Sequence, residues 1–235
     1  MSRFPLLLLV LWPALLVPTA APAAIDEEIP LGAETVAGVR TGYVYRGFDL
    51  ADALTDFQLE TELAVAQDVF LNIGGWVASE LGDDFTEAAF FVDLRRTMNE
   101  FYTLGASASY HDFDDALFFR DTTDVGAFIT MFHANDLDVT FGAYRDIVAE
   151  AWYANAEAGW SYRLSDDAYF GLLTGLSWVD DYYGRDGIND FYGRATVTYN
   201  INRLISLTPF FGWSLEIEDA DGDEYFGGLW FEVLF

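Results

Sequence analysis

The sequence predicts an all-β fold, a transmembrane up-and-down antiparallel β-barrel of about twelve strands. Three observations carry that expectation. The chain closes on YFGGLWFEVLF, in which Tyr225, Gly227, Leu229, Phe231, Val233 and Phe235 share one parity, the period of a strand and not of a helix. Segments with the same alternation recur back to residue 35, and one parity is almost free of charge. Their connections alternate between short turns and longer acidic loops, as in barrels that run up and down through a bilayer.

Composition bounds the class. Residues 1–23 read as a cleaved export signal: Arg3, an apolar run from Leu6 to Val17, and small residues around Ala21-Pro22-Ala23. A short leader, 24–34, precedes a barrel domain at 35–235. The chain has no Cys, which removes disulfides, thiol chemistry and a lipid-bearing cysteine. It carries 39 acidic against 11 basic residues, all of the latter arginine, a balance that excludes nucleic acid as a partner. Acid-rich chains are often disordered, but 17% aromatic residues can bury much surface. Acids and apolar residues must then be segregated: an apolar band outside, a polar lumen, and acidic loops at the rim.

Strand one is expected over Thr35–Arg46, with Ala37, Val39, Thr41, Tyr43 and Tyr45 on the outward parity. Strand two sets Phe57, Leu59, Thr61, Leu63 and Val65 against Asp56, Gln58, Glu60 and Glu62. Strand three places Val69, Leu71, Ile73 and Val77 outward, and strand four Ala88, Phe90, Val92 and Leu94. Strands five and six do so with Tyr102 to Tyr110 and Val125 to Met131. Strands seven and eight show Leu137 to Ala143 and Trp152 to Tyr162. Strands nine to eleven show Phe170 to Trp178, Phe191 to Tyr199, and Ile205 to Trp213. The closing strand makes twelve, an even count that leaves both ends on one side.

Short turns at 66–68, 98–100, 133–136, 165–167 and 202–203 read as periplasmic. The acidic connections at 47–54, 80–86, 112–122, 146–150, 180–189 and 218–224 read as outer loops. Outward aromatics then gather at two levels: Tyr45, Tyr110, Trp152, Trp178, Trp213 and Tyr225 above, and Tyr102, Trp160, Tyr162, Tyr199 and Phe235 below, as interfacial girdles. A soluble barrel shows the same alternation, but it would present a dense charged face to water. Here the polar parity is largely Gly, Ser, Thr, Asn and Tyr.

The segment VRTGYVYRGFDLADALTDFQLETELAVAQDVFLNIGGWVAS resembles the opening of the TorF family of porin-like outer-membrane proteins. Tyr43, Tyr45, Arg46, Gly47, Gln58, Trp76 and Ser79 carry the likeness. Asp49, Asp52 and the lack of Lys depart from it. The resemblance implies a transport barrel and no particular solute.

Ionisable residues of lumen parity are Arg40, Arg46, Arg95, Arg163 and Arg194, facing Asp56, Glu60, Glu62, Asp93, Asp124, Asp138, Glu157 and Glu232. They read as a pore wall selecting ions or small polar solutes, with a cation bias from the excess of acids. They equally read as an ion-pair network in a lumen filled by residues such as Trp76, Phe91, Tyr144, Tyr153, Tyr192 and Trp230. Arg40 and Arg46 are expected to meet Glu60 and Glu62.

An outer-membrane enzyme needs an activated nucleophile. His111 shares a parity with Ser109 and adjoins Asp112, but side chains two apart on a strand stand roughly 6–7 Å apart, too far for proton transfer. No catalytic residue, cofactor or metal ligand is assigned. The acidic 218–224 loop, EDADGDE, lacks the spacing of a calcium loop and reads as a solvated turn. Upper-loop acids could share divalent cations with lipopolysaccharide phosphates.

The expectation is therefore a porin-like channel of the bacterial outer membrane. The alternative is a closed structural or loop-binding barrel. Expected partners are membrane lipid, lipopolysaccharide, solutes, and the barrel assembly machinery, which would read Phe231, Val233 and Phe235.

Overall fold

The computed structural model describes residues 32–116, 119–133, 136–218 and 222–235. The expected export signal and leader residues up to 31 lie outside the described residues, as do 134–135 of one turn and 219–221 of the last acidic loop. In chain order the strands are β1 (Ala33–Arg40), β2 (Tyr43–Tyr45), β3 (Phe48–Ala51), β4 (Leu54–Ala66), β5 (Val69–Glu80), β6 (Thr86–Asn99) and β7 (Tyr102–Asp114). They continue with β8 (Thr122–His133), β9 (Leu137–Asp146), β10 (Ala151–Arg163), β11 (Ala168–Tyr182), β12 (Arg185–Asn200), β13 (Ile205–Glu216) and β14 (Glu224–Leu234). β1 and β4 to β14 close into one antiparallel barrel of twelve strands, while β2 and β3 form a separate hairpin. Closure runs through β1, where Thr35 lies opposite Val233 on one side and Leu59 on the other.

The uncharged parity faces out. Phe57, Leu59, Leu63, Phe90, Leu94, Phe141, Leu176, Phe211 and Phe231 are all exposed. An apolar belt that encircles the molecule far exceeds the patches tolerated in water, and is at rest against lipid. Inside, glycines and rings are matched. Phe91 lies across Gly74 of β5, and Phe128 across Gly105 of β7, so closely that a Cβ at either glycine would collide with the ring. An inward ring can lie flat against the wall only where the neighbouring strand offers no side chain.

Two expectations are corrected. The first strand ends at Arg40 and not at Arg46. The chain leaves the wall after Thr41, and residues 43–51 turn into the lumen, so Tyr45 is 3% exposed and no part of an outer girdle. Arg46 and Gly47 both take positive φ, 50° and 83°, the two-residue turn that matches the twist of a hairpin. The supposed 180–189 loop is mostly strand. β11 and β12 run on to a tight turn at Tyr183-Gly184. A register shift between Leu176 and Trp178 leaves both Asn189 and Asp190 buried, and such a bulge breaks the alternation that the eye follows.

Candidate functional site: a lumen crossed by an inward hairpin

The β2–β3 hairpin reaches across the barrel. The Arg46 guanidinium donates from Nη1 to the Tyr182 hydroxyl at 2.8 Å and to Asp124 Oδ1 at 3.1 Å, and lies 4.6 Å over the Tyr153 ring. These partners stand on β11, β8 and β10, far around the barrel from β1. Asn189 Nδ2 donates to the Arg46 carbonyl at 2.8 Å, and Arg185 Nη1 to the Gly47 carbonyl at 3.2 Å. The left-handed backbone at Arg46, costly for a residue with a Cβ, is thus pinned through its own carbonyl and its neighbour's.

Aromatic packing fixes the hairpin's faces. Tyr45 meets Phe113 and Phe119 edge-on, each with centroids 5.5 Å apart, and Tyr43 lies 5.5 Å from Trp76. Pairs of this kind contribute about 0.5–1.5 kcal/mol each beyond the area they bury. The Tyr45 hydroxyl is 2.8 Å from His111 Nε2, while His111 Nδ1 is 3.2 Å from Glu87 Oε1. Nε2 also faces Asp124 Oδ2 at 3.4 Å, so the ring stands between two carboxylates and the Tyr45 hydroxyl. His111 is completely buried in this network, and Ser109 is no part of it.

Beneath the hairpin lie two cavities of about 150 and 250 Å³. Arg40, Arg46, Asp56, Glu60, Asp93, Glu157 and Arg194 line the first. Glu62, Asp93, Arg95, Asp138 and Glu157 line the second, which extends towards the short turns. Asp93 and Glu157 line both.

The expected charged residues find partners other than those anticipated. Arg40 pairs with Asp56 at 2.5 Å, not Glu60, because Gly38 between them on the facing register leaves room for the Asp56 carboxylate. Arg46 pairs with Asp124, and Glu62 with Arg95. Glu232 accepts from Ser206 at 2.5 Å and Thr208 at 3.0 Å. Arg194 lies 4.4 Å over the Trp230 ring. Arg163 turns to exposed Asp166 at 2.7 Å within its own turn. Asp124, Arg163 and Glu232 line neither cavity. On β14, Phe231 faces out, and the Phe235 amide donates to the Ala33 carbonyl at 2.8 Å. The residues missed from the sequence are those that seat the hairpin: Tyr43, Tyr45, Glu87, His111, Tyr182, Arg185 and Asn189. The one local signal was Arg46-Gly47 between alternating aromatics, a hairpin turn read as strand and loop.

No family profile and no curated protein sequence matches the chain. Solved structures do. An outer membrane channel from Pseudomonas putida F1 superposes with TM-score 0.62 at 13% identity, over 90% of this chain and 98% of that one. This is the fold of an outer-membrane barrel. The KdgM porin gives 0.58 at 9% identity, over 86% and 99%. The translocator domain of the autotransporter NalP from Neisseria meningitidis gives 0.55 at 11%, over 89% and 90%. A fold shared by a channel, a porin and a translocator domain leaves function to the lumen.

Proposed function

We propose that the chain is a porin-like channel of the bacterial outer membrane, passing ions or small polar solutes passively, with a weak preference for cations. The observation that carries this reading is the pair of charged cavities inside the barrel that share Asp93 and Glu157 in their walls. Arg40, Arg46 and Arg95 are each engaged by a carboxylate, while Asp93, Asp138 and Glu157 have no salt-bridge partner among the described residues. Arg194 offsets part of this charge in the first cavity, but the acids outnumber it, and in a low-dielectric wall their charge acts over several ångströms. The hairpin is the constriction.

The TorF likeness gains a physical sense in this reading. Tyr43, Tyr45, Arg46 and Gly47 build the hairpin and Trp76 packs against it, so kinship would rest on the constriction itself. Export by a cleaved signal, recognition of the Phe235 end by the assembly machinery, and contact of the acidic rim with lipopolysaccharide belong to the same proposal.

One observation favours the second reading, a barrel that does not conduct. The hairpin is buried in an aromatic cluster that reaches from Trp76 to Tyr182. Swelling of liposomes in small polar solutes separates the two. The channel reading expects swelling above that of protein-free liposomes, and faster swelling when residues 43–51 are replaced by a short Gly-Ser linker. Protein-free rates with both proteins would leave the non-conducting barrel.

A further inference from the structure

The wall shared by the two cavities holds acceptors that the chain leaves wholly or partly unsatisfied. Asp93 is 7% exposed and lines both cavities, yet it has no hydrogen bond or ion pair among the described residues. Asn155, 8% exposed, lines the second cavity with its Oδ1 buried and unpartnered. Glu157 accepts from the Tyr192 hydroxyl at 2.6 Å and lies in the field of Arg194, with which it shares the first cavity. Buried acceptors left unmade cost free energy that a donor-bearing guest recovers.

The guest's chemistry follows from spacing and walls. Among the described residues no three carboxylates or histidines come close enough to hold a metal ion, so the acceptors are too dispersed for a bare cation. Phe128 and Tyr144 line the same space and present apolar and π-electron surface to alkyl and ammonium groups. Dispersed acids, an amide oxygen and aromatic walls suit an extended molecule with an ammonium at each end.

We infer that the wall the two cavities share at Asp93 and Glu157, with Asn155 beside it in the second, is a binding site for a linear alkyl diamine. This deepens the channel reading and rests on it, since it names a class of solute that the lumen passes. One ammonium sits between Asp93 and Glu157, and the chain extends along Tyr144 towards Asp138 in the second cavity.

The test is calorimetric titration of the folded full chain in detergent with 1,4-diaminobutane, at ionic strength matched by KCl, beside conductance in planar bilayers. The proposal expects saturable binding, weakened at least about tenfold, or roughly 1.4 kcal/mol, by Asp93→Asn. Glu157→Gln serves where that variant fails to fold, and Asp83→Asn, an equal loss of charge on an exposed loop, leaves affinity unchanged. No saturable heat, or equal binding by Asp93→Asn and Glu157→Gln, overturns the site. A barrel that conducts KCl without binding diamine defeats this inference and spares the channel. Binding without conductance defeats the channel and spares the site.

Discussion

Arg46 holds the hairpin tip to the far wall, and both it and Asp124 have almost no exposed side-chain surface. Truncating it leaves the buried Asp124 carboxylate without its guanidinium, with only the His111 ring 3.4 Å away, and breaking a buried pair in this way costs about 3–5 kcal/mol. We expect Arg46→Ala to raise conductance and admit protease at 43–51, whereas Arg46→Met with Asp124→Leu keeps the hairpin in place. Equal proteolysis of wild type and Arg46→Ala would remove the latch from the account. Asp49, at the exposed edge of β3, is pushed up to about 6 by partial burial and by Glu224, Asp52 and Glu80. A carboxyl raised by folding takes up its proton in the folded chain first, so its charge opposes the fold above about pH 6 and the opposition is relieved as pH falls through that value. Hydrogen exchange at 43–51 should therefore slow from about pH 7.5 to about pH 5 beyond the intrinsic change, and Asp49→Asn should abolish the difference.

At the scale of elements, the barrel strands were legible because a wall between lipid and lumen imposes a strict period of two. The hairpin was not, for the same reason. Tyr43 and Tyr45 alternate with Val44 as a wall strand would, and alternation does not say whether a strand's two faces meet lipid and lumen or two parts of a plug. The Arg40–Asp56 pair was missed because it depends on register and on the space above Gly38, neither of which one strand's sequence contains. The glycine-and-ring pairs make a separate prediction. Gly105→Ala must drive Phe128 off the wall into the second cavity, at about 1–3 kcal/mol, and adding Phe128→Leu should recover much of the loss. An unaltered unfolding midpoint for Gly105→Ala would mean that the ring does not need the glycine.

For the whole molecule, the apolar belt sets the outer face against lipid. Leu172 lies on the outward parity at mid-strand, paired to Trp160 and Ala195. Leu172→Arg should cost about 2–4 kcal/mol in lipid, and a neutral result in refolding would reverse the assigned faces. Loss of Phe235 should slow assembly in cells, since its amide helps close β14 on β1. The lumen's charge could be read from parity, but its division into paired arginines and unpaired acids could not, because partners such as Arg46 and Asp124 come from strands distant in sequence.

Single-channel recording of the refolded chain in a planar bilayer under a KCl gradient reads out a negatively lined passage narrowed by a hairpin. Such a passage gives discrete steps with a reversal potential displaced towards that of potassium. Verified inserted barrels that stay silent, or a reversal potential displaced towards chloride, would contradict it.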